Sequence, residues 1–328
     1  MEQNEQNKET LTQEKNKKIH KSRKFIVLTF ILIALIISYV IYRGEYLEIL
    51  ELGEQYINIF WQNLNYTAMT FFGNFVVLFA LIYSTNKRIQ KGLTPFFEEE
   101  KKQMPKMLNK SIAFISAIII SFFTTNMMLE KFMLCINATA FGTVDPVLGY
   151  DIGFFLLQQP FLEFITFYAL ALVIGLTVYS VLYYIIAFNV YFDGISRETL
   201  KKSILAKQLC NNLKIIAILL ATVIFIKTHN VGMQKFLTLD DENAYALYGA
   251  GASEVTVKLW GYRILAIVLV LSVYKAIKAF KEENRKKLIL SIGMVSLYMV
   301  ILFFTLVIFQ SLFVTANELD KEKEYIQA

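Results

Sequence analysis

Seven long apolar stretches, set apart by polar segments whose basic charge alternates from one to the next, leave this chain few ways to fold. They run over about 25–42, 67–84, 111–130, 161–187, 213–228, 260–279 and 288–312. Each is close to the roughly 17–25 residues that an α-helix needs to cross a hydrocarbon core. Lipid offers no hydrogen bonds to a bare backbone, so each stretch is expected to be a helix. The expected fold is all-α, an integral membrane bundle with seven transmembrane helices. The composition agrees: 56% of the 328 residues are hydrophobic and the mean hydropathy is +0.48, well above an ordinary soluble domain.

Residues 1–24 are mostly Gln, Asn, Glu and Lys and read as a disordered cytoplasmic tail. Residues 25–312 make the seven-helix domain, and 313–328 an extracytoplasmic stub. The first stretch exits through Tyr42-Arg43 rather than small residues, so it reads as a retained anchor and not a cleaved signal.

Basic residues beside membrane spans favour the cytoplasmic side. With the N-terminus inside, the tail and the second, fourth and sixth loops hold seven, seven, five and six of the 33 basic residues. Seven spans then place the C-terminus outside, in a multi-pass plasma-membrane protein of bacterial type. The net charge of +6 is accounted for by topology and anionic lipid rather than by nucleic acid. In the fourth loop Arg197, Lys201 and Lys202 alternate with Leu200, Ile204 and Leu205. That segment reads either as an amphipathic helix on anionic inner-leaflet lipid or as a plain connector. In the first outer loop Glu45, Glu48, Glu51 and Glu54 recur every third residue, as on the solvated face of a helix.

The span interiors lack charge, which argues against a proton relay or ion pump. Their polar groups, among them Asn74, Ser121, Thr124, Asn126, Thr177, Thr222 and Thr305, suit hydrogen bonding along or between helices. Ala113, Ala117, Ser121 and Thr125 form a small-residue stripe suited to close helix packing. All four prolines (Pro95, Pro105, Pro146, Pro160) are placed in loops or at span edges. Charge gathers instead at the outer boundary, where Asp145, Asp151, Glu163, Lys227, His229 and Arg263 form the candidate polar cluster. Glu163 and Arg263 sit just inside their spans and are expected to be paired. An electrostatic lock, a headgroup or catalytic pocket, and simple snorkelling all remain open for this cluster.

Cys135 and Cys210 are expected on opposite sides of the membrane, so no disulfide framework forms. Two histidines leave too few ligands for zinc. Gly249-Ala250-Gly251 lacks the rest of a dinucleotide fingerprint. Asp240, Asp241 and Glu242 lack the spacing of a calcium loop. No cofactor, metal or catalytic residue is assigned, and the balance is against an enzyme.

Three segments carry a resemblance. One is Asp145-Pro146-Val147-Leu148-Gly149-Tyr150-Asp151-Ile152-Gly153-Phe154-Phe155 with Gln159-Pro160-Phe161. Another is Gly249 to Val255 leading into Tyr262-Arg263-Ile264-Leu265. The third is Asn317-Glu318-Leu319 with Glu324-Tyr325-Ile326. Together they resemble the bacterial membrane proteins of uncharacterised protein family 0182, although Trp260-Gly261 stands where a proline is expected. The resemblance implies seven membrane helices followed by a large extracytoplasmic domain; it implies no activity and no catalytic residues. The chain ends sixteen residues past the last stretch, so a truncated, split or boundary-limited form is expected.

The leading functional expectation is a membrane anchor and scaffold for an extracytoplasmic domain or partner. A transporter or channel for a lipid or small solute is the alternative, with a path lined by Asn74, Asn126 and Thr222. An outer-face lipid-modifying enzyme using Asp145 or Asp151 is the second alternative.

Overall fold

The computed structural model describes residues 29, 32, 33, 35–192, 194, 204–233, 249–317 and 320–323. The expected tail (1–24), the start of the first apolar stretch, Arg197, Lys201 and Lys202, and Asp240, Asp241 and Glu242 lie outside them. Among the described residues the regular elements are helical, and strand pairing is confined to one antiparallel bridge between Val144 and Asp151.

The chain divides into two compact units, residues 1–69 and 70–328. In the first, helix α1 (35–52) runs to Gly53, whose φ of 133° is a conformation that only glycine enters readily. The turn Glu54–Tyr56 then leads into α2 (Ile57–Glu99). Tyr46 and Phe60 meet edge to face across this corner at 5.5 Å, and the Arg43 guanidinium lies 5.1 Å from the Tyr46 ring. Glu45, Glu48, Glu51 and Glu54 are exposed, as a solvated acidic face requires. The helix runs ten residues past the expected boundary at 42, through Gly44 and on to Gly53.

The second unit holds the rest of α2 with α3 (Asn109–Ile136), α4 (Gln159–Tyr191), α5 (Ile204–Lys227), α6 (Trp260–Lys281) and α7 (Arg285–Phe309). Five helical stretches among the described residues are long and apolar enough to cross a membrane: Glu54–Glu99, Asn109–Ile136, Phe154–Tyr191, Ile204–Gly232 and Arg285–Asn317. They suggest a membrane protein. The expected seven are not all among them. The first apolar stretch is only partly described, and α6 has Arg263 in its first turn and Lys275, Lys278 and Lys281 near its end, leaving a short uncharged run between.

Small residues and amide ties explain the packing. The stripe Ala113, Ala117, Ser121 and Thr125 is fully inward, and its two alanines let Leu78 and Ile82 of α2 close onto α3. Asn74 Nδ2 donates to Thr124 Oγ1 at 2.8 Å and its Oδ1 accepts from Tyr168 Oη at 3.0 Å, tying α2, α3 and α4. Asn212 Nδ2 reaches Thr177 Oγ1 at 2.8 Å, and Gln208 Nε2 reaches Ser180 Oγ at 3.1 Å, between α5 and α4. Such bonds average about 0.6 kcal/mol each in membrane bundles, so their value lies in fixing register. α6 and α7 form a hairpin whose turn places Glu283 at φ 55° and whose Asn284 side chain accepts from Lys287 N–H at 3.0 Å. Gly261 lets Leu302 approach α6, where any Cβ would meet the leucine methyl, and Tyr298 Oη donates to the Gly261 carbonyl at 2.9 Å.

Pro95 corrects one expectation: it lies inside α2, one turn from its end, not in a loop. The backbone bond it removes is among the last of the helix, where the loss costs least. Cys135 and Cys210 are both free.

At the end of the bundle where α2 finishes, Ile89, Leu93, Phe97, Tyr184, Ala187, Phe188 and Leu205 form a core cluster. The Tyr184 hydroxyl is buried without a partner and rests on Gly92, with Cζ 3.1 Å from where a Gly92 methyl would sit. Gly92→Ala therefore collides with the phenol and should lower stability by about 1–3 kcal/mol. Tyr184→Phe alone should be near neutral, since it removes an unsatisfied hydroxyl. The double variant should recover part of the loss, and thermal unfolding of all three in detergent measures the coupling.

Candidate functional site

Because successive helices alternate in direction, the end of α3, the start of α4, the end of α5, the start of α6 and the end of α7 meet at one end of the second unit. This is the end that the charge pattern predicts to be outer, and loops cap it. In the loop 138–153, Asp151 is the organiser. Its carboxylate accepts backbone N–H groups from Phe141 (3.0 Å), Gly142 (2.9 Å) and Gly153 (2.7 Å). A Cβ on Gly153 would sit 2.6 Å from the Thr139 carbonyl and 2.8 Å from Asp151 Oδ1, so only glycine fits. Asp145 closes the adjoining turn. Its Oδ2 accepts Leu148 N–H at 2.6 Å, while its own N–H donates to the Tyr150 carbonyl at 2.8 Å. Gly142 and Gly149 supply positive φ of 75° and 72°.

The chain then enters α4 through a wide turn, Phe154–Gln158, with Pro160 in the first helical turn. Glu163 Oε1 accepts Gln159 Nε2 at 2.9 Å and Asn230 Nδ2 at 3.1 Å, and Gln159 Nε2 also donates to Asn230 Oδ1. This amide–carboxylate triangle ties the start of α4 to the turn Thr228–Met233 that follows α5. His229 is buried in the same turn. Its Nδ1 lies 3.1 Å from the Ile226 carbonyl, and its ring packs against Phe225 (5.3 Å), Tyr150 (5.7 Å) and Phe154 (5.9 Å). Arg263 stacks between Phe225 and Trp260, 5.2 Å from each ring. Its Nε donates to Thr228 Oγ1 at 3.3 Å.

Glu163 and Arg263 do not pair with each other: side-chain amides meet one, and aromatic rings with a hydroxyl meet the other. Sequence reasoning placed the six cluster residues near one another, and residues 225–230 are where four of them join. Glu163, Lys227, His229 and Arg263 meet there, while Asp145 and Asp151 shape the loop above. Lys227 is exposed and lines two cavities. One, of about 280 Å³, includes Thr228, Lys258, Leu259 and Tyr262. The other, of about 360 Å³, includes Lys131 and Glu163 at one end and Phe164, Phe167 and Val223 at the other.

Three residues that the sequence reading passed over are decisive. Gln159 and Asn230 complete the triangle, and their cue was the amide beside Pro160 at the mouth of an otherwise apolar span. Glu254 opens the wide turn Glu254–Leu259 before α6 and is 2% exposed. Beside it, Ser253 Oγ donates to Gln310 Oε1, and Ala252 N–H donates to Glu322 at 3.0 Å. Val231, Ala250 and Leu259, with Val147, Leu148 and Val255 against them, form a small core that joins the loop 138–153 to the two described ends of the connection between α5 and α6. The cap is therefore a packed body.

Asp151, His229 and Arg263 are each occupied in holding the cap, and among the described residues no group of three or more His, Cys, Asp or Glu is placed to hold a metal. The residues named for a transport path diverge: Asn74 is buried in its tie to Thr124 and Tyr168, whereas Asn126 and Thr222 are exposed.

The three backbone donors, Phe141 first, stabilise the charged form of Asp151 and hold its pKa below the ordinary value. Its contribution to loop stability is therefore complete above the ordinary carboxylate pKa and is lost only as pH falls through the lower folded value. Asp151→Asn should make the loop 138–153 more sensitive to protease at neutral pH and should abolish the acid-dependent part of that sensitivity. Proteolysis rates from pH 7 to 3, with an acid-tolerant protease, measure both.

The family described as Uncharacterised protein family (UPF0182) matches residues 24–328. A UPF0182 protein of Caldicellulosiruptor saccharolyticus is 25% identical over 327 residues, covering 96% of this chain and 34% of the relative. One of Trichodesmium erythraeum is 27% identical over 284 residues, covering 83% and 30%. One of Trichlorobacter lovleyi is 30% identical over 199 residues, covering 60% and 21%. The chain spans about a third or less of the length of these relatives. No solved structure matches it. With the family match running over nearly the whole chain, the chain belongs to the Uncharacterised protein family (UPF0182).

Proposed function

We propose that this chain is a seven-span anchor of the bacterial plasma membrane, N-terminus cytoplasmic and C-terminus extracytoplasmic, whose capped end presents or docks an extracytoplasmic domain or partner. The observation that supports this reading most is the cap itself. Segments of two loops share a core of their own, and Asp151, Glu163 and Arg263 are engaged in holding its shape. The loop 138–153 also exposes Phe141, Val144 and Tyr150, apolar groups on a rigid frame such as binding surfaces offer. The lengths of the relatives agree, since two-thirds or more of each lies outside the matched part. The basic loops at the opposite end of the helices support the orientation.

Binding of a soluble fragment taken from the unmatched part of the Caldicellulosiruptor relative tests the docking. Measured against this chain in lipid nanodiscs, binding should fall at least tenfold with Phe141→Ser plus Val144→Ser, because neither side chain is part of the cap's core. Absence of binding, together with solute flux through the reconstituted chain, would favour the transporter.

A further inference from the structure

The anchor reading leaves one feature unused, the crevice where the end of α3, the start of α4 and the end of α5 converge. It encloses about 360 Å³ and carries three charged groups: Lys131 of α3, Glu163 of α4 and Lys227, the last residue of α5. Phe164 and Phe167 follow Glu163 into α4, and Val223 lies one turn before Lys227. The lining therefore passes from charged to apolar going into the bundle. Phe167 is 64% exposed, so the crevice opens on the flank of the helices.

The Glu163 carboxylate is held by the amides of Gln159 and Asn230. Among the described residues neither Lys131 nor Lys227 closes onto it in an ion pair. Snorkelling brings a single lysine to a helix end. It gives no reason for lysines of two helices to share one crevice with a wall of aromatic rings. Two positive charges against one negative favour an anion, and a lysine ammonium meets phosphate as a point charge. Within a membrane, phosphate comes attached to the chains that such a wall accepts. Basic pockets between membrane helices hold phospholipid headgroups in this way.

We propose that this crevice binds one anionic phospholipid. Lys131 and Lys227 hold its phosphate from two different helices, while Phe164, Phe167 and Val223 seat the start of a chain. Glu163 sets the limit on charge: its carboxylate repels a second phosphate, so a headgroup with a single negative charge fits best. The lipid links α3 to α5 across the start of α4 and so braces the foot of the cap. The site is separate from the docking face at Phe141 and Val144 and stands whether or not a partner binds there.

The test uses the full chain, purified in a nonionic detergent and stripped of lipid. Native mass spectrometry with dilauroyl phosphatidylglycerol should show one lipid per chain. It should be retained about tenfold better than dilauroyl phosphatidylcholine, whose choline cation the lysines repel. Lys131→Gln plus Lys227→Gln should cut that retention about tenfold, whereas Lys131→Arg plus Lys227→Arg should keep it within about twofold. Glycerol 3-phosphate offers the anion without chains and should compete only at about a hundredfold higher concentration. If it binds as tightly as the lipid, the crevice takes a soluble phosphate and the proposal fails. Equal retention of both lipids by wild type, or retention that the glutamine pair leaves unchanged, also overturns it. The comparison of lipids on wild type reads the site even where a variant fails to fold.

Discussion

Polar atoms placed in an apolar medium are stabilised by partners inside the protein, and that demand shapes the bundle. The backbone meets it by becoming helix. The side chains meet it in pairs: Asn74 with Thr124 and Tyr168, Asn212 with Thr177, Gln208 with Ser180. Threonines and serines without a neighbour turn back onto their own helices, as Thr222 does to Ile218 and Thr305 to Ile301. Of the residues that look like a path in the sequence, Asn74 is such a fastener, whereas Thr222 turns back to its own helix.

At the capped end the demand is sharper, because charges are involved. The solutions there are specific to each group. Asp151 draws on three backbone amides, Glu163 on two side-chain amides, and Arg263 on two aromatic faces and a hydroxyl. Two of these solutions join parts distant in sequence, Glu163 with Asn230 and Arg263 with Phe225. The charges therefore act as connectors between loops. Among the described residues of the cap, Gln159 Oε1 and Glu254 Oε1 are buried without a donor.

The helices were legible in the sequence because apolar length is a one-dimensional signal. Their ends were less so. α1 runs on to Gly53 and α2 extends far beyond 67–84 at both ends, since polar helix continues where hydropathy falls. The small-residue stripe of α3 was read correctly, its spacing being local. The cap was legible in part. Asp145, Asp151, Glu163, Lys227, His229 and Arg263 were all placed at this end by charge and topology, but their partners were not, because Gln159 with Asn230 or Ala252 with Glu322 are contacts across 71 and 70 residues. Sequence position carries no record of such pairs. Whether this cluster serves as lock, pocket or snorkelling site was not legible; the contacts that Glu163 and Arg263 make are amides, rings and a hydroxyl.

The account's central claim is that the interior polar groups fasten helices together and line no water path. Ser121 tests it most directly. It lies on the small-residue stripe, is fully buried, and its hydroxyl has no partner, so Ser121→Cys changes little else. In a chain with Cys135 and Cys210 replaced by serine, reconstituted in liposomes, that thiol should stay unreactive toward a water-soluble maleimide added to both faces. It should react once the chain is unfolded in detergent and denaturant. Rapid labelling in the intact bilayer would reveal a water-filled route through the bundle and contradict the account.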